Sequence, residues 1–265
     1  LSYLTYIGAC EELAKHCATT SVMVSTHGSL CTWPINEFGT EVQKQKYLPP
    51  LTSGEKLGAF GLTEPGAGTD SAMQKTTAED RGDHWVLNGS KIFITNAGFA
   101  SIFVIFAMTD KEKGNKGISA FIVEKGFPGF KVGAHEKKMG IRGSSTCELV
   151  FEDCIVPKEN LLGEVNKGFK IAMMTLDGGR IGIGVQALGI AQAAIDECVK
   201  YTTHRIQFGK RISQFQNTQF KLAELQTKVD AGRMLVWRCA MLKDAGLPYG
   251  KEAAMAKLYN SDVAN

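Results

Sequence analysis

No apolar run in the 265-residue sequence approaches the roughly 20 residues that cross a bilayer, and no secretory or transit segment is visible, so membrane insertion is not expected. The seven cysteines (Cys10, Cys17, Cys31, Cys147, Cys154, Cys198 and Cys239) are odd in number, widely spaced and without a C-x-x-C pair. That pattern argues against a disulfide framework and a zinc site, and predicts small buried thiols in a reducing compartment. A formal charge of +3 is small for this length, which leaves neither a nucleic-acid patch nor a polybasic membrane anchor. Dinucleotide-binding G-x-G-x-x-G after a strand, the G-x-S-x-G elbow, H-E-x-x-H and the Walker sequence are all missing. His16, His27, His84, His135 and His204 are too scattered to form a metal site, and none is expected.

What is present reads as globular: apolar residues make up 44% and charged residues 22%, enough for roughly two or three compact units. Helical periodicity runs from Leu1 to about Ser53, with Leu4, Ile7, Leu13 and Ala14 on one face of the first helix. Gly39 predicts a helix stop, Thr40-Glu41-Val42-Gln43 has the form of a capping box, and Pro49-Pro50 is expected to end that helix before Gly54 opens the next domain. From Leu57 to Pro157 the period becomes strand-like, through Ile102–Phe106, Ile118–Val123 and Glu148–Phe151. Asp110–Gly117 lacks the ending of a phosphate loop and predicts a solvated hairpin turn. Long helices return from Gly168, and Ile171, Met173, Met174 and Leu176 are read as core. The expected division is residues 1–56 as a partial helical N-terminal domain, 57–163 as a β domain, and 164–265 as part of a helical bundle. Both ends read as cut, since the chain opens on Leu1 and ends at Asn265 on a helical stretch without a clear C-cap.

The stretch Phe60–Asp70 stops an apolar run at hydroxyl, carboxylate, proline and glycine. Pro65-Gly66-Ala67-Gly68 lets the main chain turn and come close to another molecule, while Thr63, Thr69 and free amides offer hydrogen bonds. Taken alone, an ordinary strand and turn and a ligand-binding wall are equally good readings. Further on, Asn88-Gly89 between two β-rich runs predicts a hairpin that ends at Thr95 beside Phe93.

With these motifs in place, the sequence resembles the acyl-CoA dehydrogenases, and within them the short-chain, butyryl-CoA members. The resemblance rests on Leu62–Asp70, Asn88–Lys91 with Ile94–Asn96, Lys138–Arg142, Phe151–Asp153 with Val156-Pro157, Gly168–Met173, Asp177–Arg180 and Arg205–Gly209, in order along nearly the whole chain. It implies a multidomain α+β fold: an α-helical N-terminal domain, a central β-barrel-like domain and a C-terminal four-helix bundle, here truncated. It also implies FAD held along Phe60, Gly61, Leu62, Thr63, Gly68 and Thr69, with Phe93, Ile94 and Thr95 on the other side and Arg205 and Gln216 reaching the pyrophosphate of a neighbouring subunit. Phe93 stands where the family often has tryptophan. Thr69, Asp177, Gly178, Gly179 and Arg180 would line the acyl-CoA site.

The implied reaction is α,β-dehydrogenation of a butyryl-CoA-like thioester to the trans-2-enoyl-CoA. Electrons would pass to electron-transferring flavoprotein from a homotetramer, in a bacterial cytoplasm or a mitochondrial matrix. The family's usual base is a glutamate expected beyond Asn265, and the minority position falls on Gly179, so no catalytic residue is assigned. The rivals are an acyl-CoA oxidase sharing the site and a non-catalytic remnant that binds flavin or acyl-CoA.

Overall fold

The computed structural model describes residues 2–265, and Leu1, with which the expected N-terminal domain begins, lies outside them. Helical and sheet elements are mixed, and the chain forms two compact units. One comprises Met23–Gly179; the other joins the chain up to Val22 to Arg180–Asn265.

The Met23–Gly179 unit is built on a sheet whose strands are β1 (Gly58–Gly61), β2 (Thr77–Asp80), β3 (His84–Thr95), β4 (Ile102–Met108), β5 (Ile118–Glu124), β6 (Phe130–His135), β7 (Thr146–Pro157) and β8 (Leu161–Leu162). Their order is β6-β7-β3-β2-β4-β5-β8, with β1 parallel to β4. Strand alternation buries both faces of the centre. Phe103 and Ile105 join Leu87, Phe121 and Leu149 on one side, while Ile102, Val104 and Phe106 join Phe60, Leu62 and Ile122 on the other. Cys31, Ile35, Tyr47 and Leu51 cover that second face. After α2 (Ala18–Ser25), they come from a π-helical segment (Thr26–Thr32), α3 (Trp33–Phe38) and α4 (Glu41–Thr52).

The capping box is formed: Gln43 N donates to Thr40 Oγ1 at 3.2 Å and Thr40 N donates to Gln43 Oε1 at 2.9 Å. Gly39 closes α3 by donating to Ile35 O. Pro49 and Pro50, however, lie inside α4, which continues to Thr52. Gln45 and Lys46, whose carbonyls lose their amide donors to the two prolines, are exposed residues of the helix. Leu51 is buried, which holds the last turn against the sheet.

Asn88-Gly89 is not a hairpin turn. It lies within β3, at a bulge in the pairing with β7, and β3 runs straight through. The turn falls earlier, at Arg81–His84, where Arg81 N donates to His84 O between β2 and β3. Asp110–Gly117 does connect the antiparallel strands β4 and β5 as an exposed turn. Among the cysteines, all seven are free; five are buried as expected, but Cys17 and Cys198 are exposed. No helix of the described residues is long and apolar enough to cross a membrane.

In the other unit, α1 (Tyr3–His16) packs with α5 (Gly168–His204), α6 (Gln216–Asp244) and α7 (Gly250–Ala264) around Ile7, Ile181, Leu188, Val229 and Val236. The first turns of α5, up to Gly179, belong to the sheet-bearing unit. A polar network joins the helices: Arg233 Nη2 donates to Glu11 Oε1 at 3.0 Å and to Gln192 Oε1 at 2.9 Å. A short hairpin of β9 (Ile206–Gln207) and β10 (Lys210–Arg211) stands between α5 and α6.

Candidate functional site

The wall begins in β1 as Gly58–Gly61, buried throughout, and leaves the sheet at Leu62. Phe60 and Leu62 turn into the core, Phe60 5.0 Å from Phe106 between ring centroids, so these residues can offer a ligand only main chain. Thr63 is half-buried at the exit. The bend that follows is closed by Glu64 N to Ala67 O and Ala67 N to Glu64 O, both 3.1 Å. Gly66 and Gly68 face open space: a Cβ on either would meet nothing within 4 Å.

Beside the wall, the end of β3 is set by a second irregularity. The register with β7 shifts between Lys91 and Ile94, and Phe93 takes a φ of 60°, a region that costs an L side chain energy and is found most often where a site demands it. Its consequence is that Phe93 stands outward, 59% exposed, while Ile94 is buried and Thr95 half-buried. Ile92 N donates to Thr63 O at 2.9 Å, so the wall and the strand end are directly bonded. The Thr63 and Thr95 hydroxyls make no hydrogen bond among the described residues. An outward aromatic, two unengaged hydroxyls and an open glycine bend are the features that a planar, heteroatom-rimmed ring system requires, so the residues present fit a flavin.

Asn96, next in the chain, has a φ of 68° and donates from Nδ2 to Met23 O at 3.0 Å, while its buried Oδ1 has no partner. Asp177, Gly178 and Gly179, expected from the sequence to line the acyl site, lie within a turn of one another on α5, and a Cβ on Gly179 would come 2.8 Å from Leu30 Cδ2. Arg180 follows on the same helix, in the other unit. Arg205 and Gln216 flank the β9–β10 hairpin, both exposed, with Phe208 at its tip 92% exposed and at a φ of 51°.

The electrostatic centre of the region is a group the motifs did not single out. Lys91 is fully buried, with Nζ 2.7 Å from Glu64 Oε1, 2.9 Å from Gln74 Oε1 and 3.1 Å from Leu62 O. Burial pulls the ammonium down to about 8 against the opposing pull of Glu64. For Glu64, burial pushes the carboxyl up, but the Lys91 charge and hydrogen bonds from Lys75, Lys91 and Thr76 outweigh it and leave it below its ordinary value. A carboxylate so engaged is in no state to take a proton from a substrate. A signal for Lys91 was present: it falls on the inward-facing set Trp85, Leu87 and Lys91 of β3, where a lysine must find partners. No group of three or more metal-ligating side chains occurs among the described residues.

Comparison with known proteins follows the same lines. The acyl-CoA dehydrogenase N-terminal, middle and C-terminal domain families match residues 1–55, 59–154 and 166–265. A short-chain specific acyl-CoA dehydrogenase from Clostridium acetobutylicum is 60% identical over 98% of this chain and 69% of its own length. Among solved structures, butyryl-CoA dehydrogenase from Megasphaera elsdenii superposes with a TM-score of 0.97 at 57% identity, covering 99% of this chain and 69% of that one. A chain in a structure described as the electron transferring flavoprotein of Acidaminococcus fermentans gives 0.98 at 58% identity, with the same coverages.

Proposed function

Since the chain belongs to the acyl-CoA dehydrogenase family, we propose that it binds FAD and oxidises short-chain, butyryl-CoA-like thioesters to the trans-2-enoyl-CoA, passing electrons to electron-transferring flavoprotein as a homotetramer. The observation that carries the reading is the outward Phe93, held at a positive φ beside Thr95 and bonded through Ile92 to the wall at Thr63. Bound there, the flavin supplies the acceptor for the hydride that leaves the β-carbon.

The chain's own residues bind and orient. Main chain at Phe60, Gly61 and Leu62 forms one edge of the flavin site, with Gly68 and Thr69 lining the bend. The Thr63 hydroxyl would bond the ring edge and the Thr95 hydroxyl would answer the change in protonation that accompanies reduction, with Phe93 and Ile94 closing the other side. Arg205 and Gln216 serve the pyrophosphate of a neighbouring subunit, where a guanidinium gives paired, charge-assisted bonds. Thr69, Asp177, Gly178, Gly179 and Arg180 line the thioester site. Two adjacent glycines in a helix cost about 1 kcal/mol each relative to alanine, and at Gly179 the Leu30 side chain occupies the space a Cβ would need.

Within residues 2–265 the proposal assigns no catalytic base, because Glu64, the carboxylate of the flavin motif, is held by Lys91. The same proposal divides the chain into a helical N-terminal domain (1–56), a β domain (57–163) and bundle helices (164–265). Flavin titration of the purified protein, followed by anaerobic addition of butyryl-CoA, tests the reading. Uptake of FAD with fluorescence quenching is expected from this chain, and bleaching by butyryl-CoA from a protein that also carries a glutamate as base. A chain that stays colourless in excess FAD overturns the proposal.

A further inference from the structure

Every proton on the Lys91 ammonium is engaged, and the three oxygens that receive them come from different stretches: Leu62 at the exit of the wall, Glu64 in the bend, and Gln74 before β2. Glu64 is in turn gripped from behind, Oε2 by Lys75 N at 2.5 Å and Oε1 by Thr76 N at 3.0 Å. Thr63 lies between two residues held by the same cation, and its own carbonyl accepts from Ile92, the neighbour of Lys91. Two positions beyond Lys91 is Phe93, and four beyond is Thr95. One buried charge therefore reaches both sides of the site.

A pair this well buried contributes little net stability over an apolar pair of the same shape, since desolvating two charges offsets their attraction. Its distinctive property is direction: three N–H bonds fix where the main chain of Leu62 and the carboxylate of Glu64 must lie, which an apolar contact cannot do. We propose that Lys91 is a positioning residue for the flavin, its ammonium clamping the Thr63 wall to the Thr95 end of β3 so that the two hydroxyls are set at their spacing before any ligand arrives. This rests on the flavin reading of the site. Lys91 touches no reacting atom; it acts through Leu62, Glu64 and the strand it belongs to.

The test compares the wild-type protein with Lys91→Met and with Lys91→Met combined with Glu64→Gln, which removes the uncompensated charge while turning an amide NH2 toward one of the Lys75 and Thr76 amides. Three readouts apply: amide exchange in the flavin-free protein, the dissociation constant for FAD, and the absorption band of bound flavin. Both variants are expected to speed exchange at Ala67 and Ile92, whose amides are bonded in the clamped wall, by about tenfold or more. FAD affinity is expected to fall by roughly tenfold, with a shifted flavin band. The double variant recovers part of the melting temperature but not FAD affinity, because Leu62 O still lacks its donor. Folded variants that keep wild-type exchange and bind FAD as tightly as wild type overturn the clamp. If wild-type protein itself takes up no FAD, the flavin reading falls and this role with it, an outcome distinct from equal FAD binding by wild type and variants.

Discussion

Asn88 on β3 and Asp153 on β7 hold one another reciprocally: Asn88 Nδ2 donates to Asp153 Oδ1 at 3.0 Å, and Asp153 N donates to Asn88 Oδ1 at 2.8 Å. The grip sits at the bulge, with Gly89 at a φ of 141° and Thr76 so near that a Cβ on the glycine would come 2.6 Å from its Oγ1. Both backbone conformation and space therefore demand glycine. Gly89→Ala is expected to destabilise the protein by about 2–3 kcal/mol, and Asn88→Ala, at an exposed position, by about 1 kcal/mol. Urea denaturation of the two variants measures both, and a Gly89→Ala protein as stable as wild type would remove the steric account.

His27 gives the sheet-bearing unit an acid sensitivity that begins near pH 6.5, above the range of its depressed carboxylates such as Glu64. Its Nδ1 accepts from Gly58 N at 3.0 Å and its Nε2 lies 3.0 Å from Leu51 O, which fixes the neutral tautomer with the proton on Nε2. Burial lowers its pKa below 6.5, opposed by the Leu51 carbonyl. The unfolded chain takes up the proton first, so stability that is complete above about 6.5 is lost as pH falls through that value and on to the folded-state pKa. His27→Leu should be less stable at neutral pH by about 1–3 kcal/mol and lack that part of the acid limb. Melting temperatures from pH 7.5 to 4.5 compare the two, and parallel curves would exclude His27 as the cause.

Arg205 is exposed, so its removal should leave folding untouched while weakening flavin retention. Loss of a guanidinium–phosphate bond is worth about 1.5–3 kcal/mol, or roughly tenfold or more in affinity. Arg205→Ala is expected to lose FAD during gel filtration with an unchanged melting temperature for the flavin-free protein. Full retention would remove Arg205 from the pyrophosphate site.

The helical unit depends on a pair that is nearly enclosed, with Arg233 and Glu11 side chains 17% and 10% exposed. Arg233→Met leaves the Glu11 carboxylate without its donor. Allowing for the partial exposure, the expected loss is about 2–3 kcal/mol. Replacing both, as Arg233→Met with Glu11→Gln, should recover most of it, and denaturant curves for single and double variants decide the matter.

What was legible in the sequence was what neighbours in the chain decide. Thr40 and Gln43 satisfy amides within one turn of helix, so the capping box could be read directly. Short continuous runs of apolar, β-branched and aromatic residues located β4, β5 and the middle of β7 for the same reason. Asn88-Gly89 misled because its turn preference is local, whereas Asp153 and Thr76, which hold it inside a strand, are distant in sequence. Pro49-Pro50 misled because the burial of Leu51, a tertiary effect, carries the helix past them. The partnership of Lys91 with Glu64 could not be read at all: the charges are widely separated in the chain, and only the folded sheet brings them together.

The placement of β3 between β2 and β7 bears on how the polypeptide reaches this state. During synthesis β2 is on hand at once, but β7 emerges only after β4, β5 and β6 have been made. For that interval the strand bearing Phe93 and Thr95 has one side of its backbone without a mate, an open edge that invites neighbouring chains. Pulse proteolysis of ribosome-bound chains halted before Thr146 should find this strand cleavable, and protection at that length would refute the order. Newly made protein is thus most exposed to aggregation while the future cofactor wall is half built.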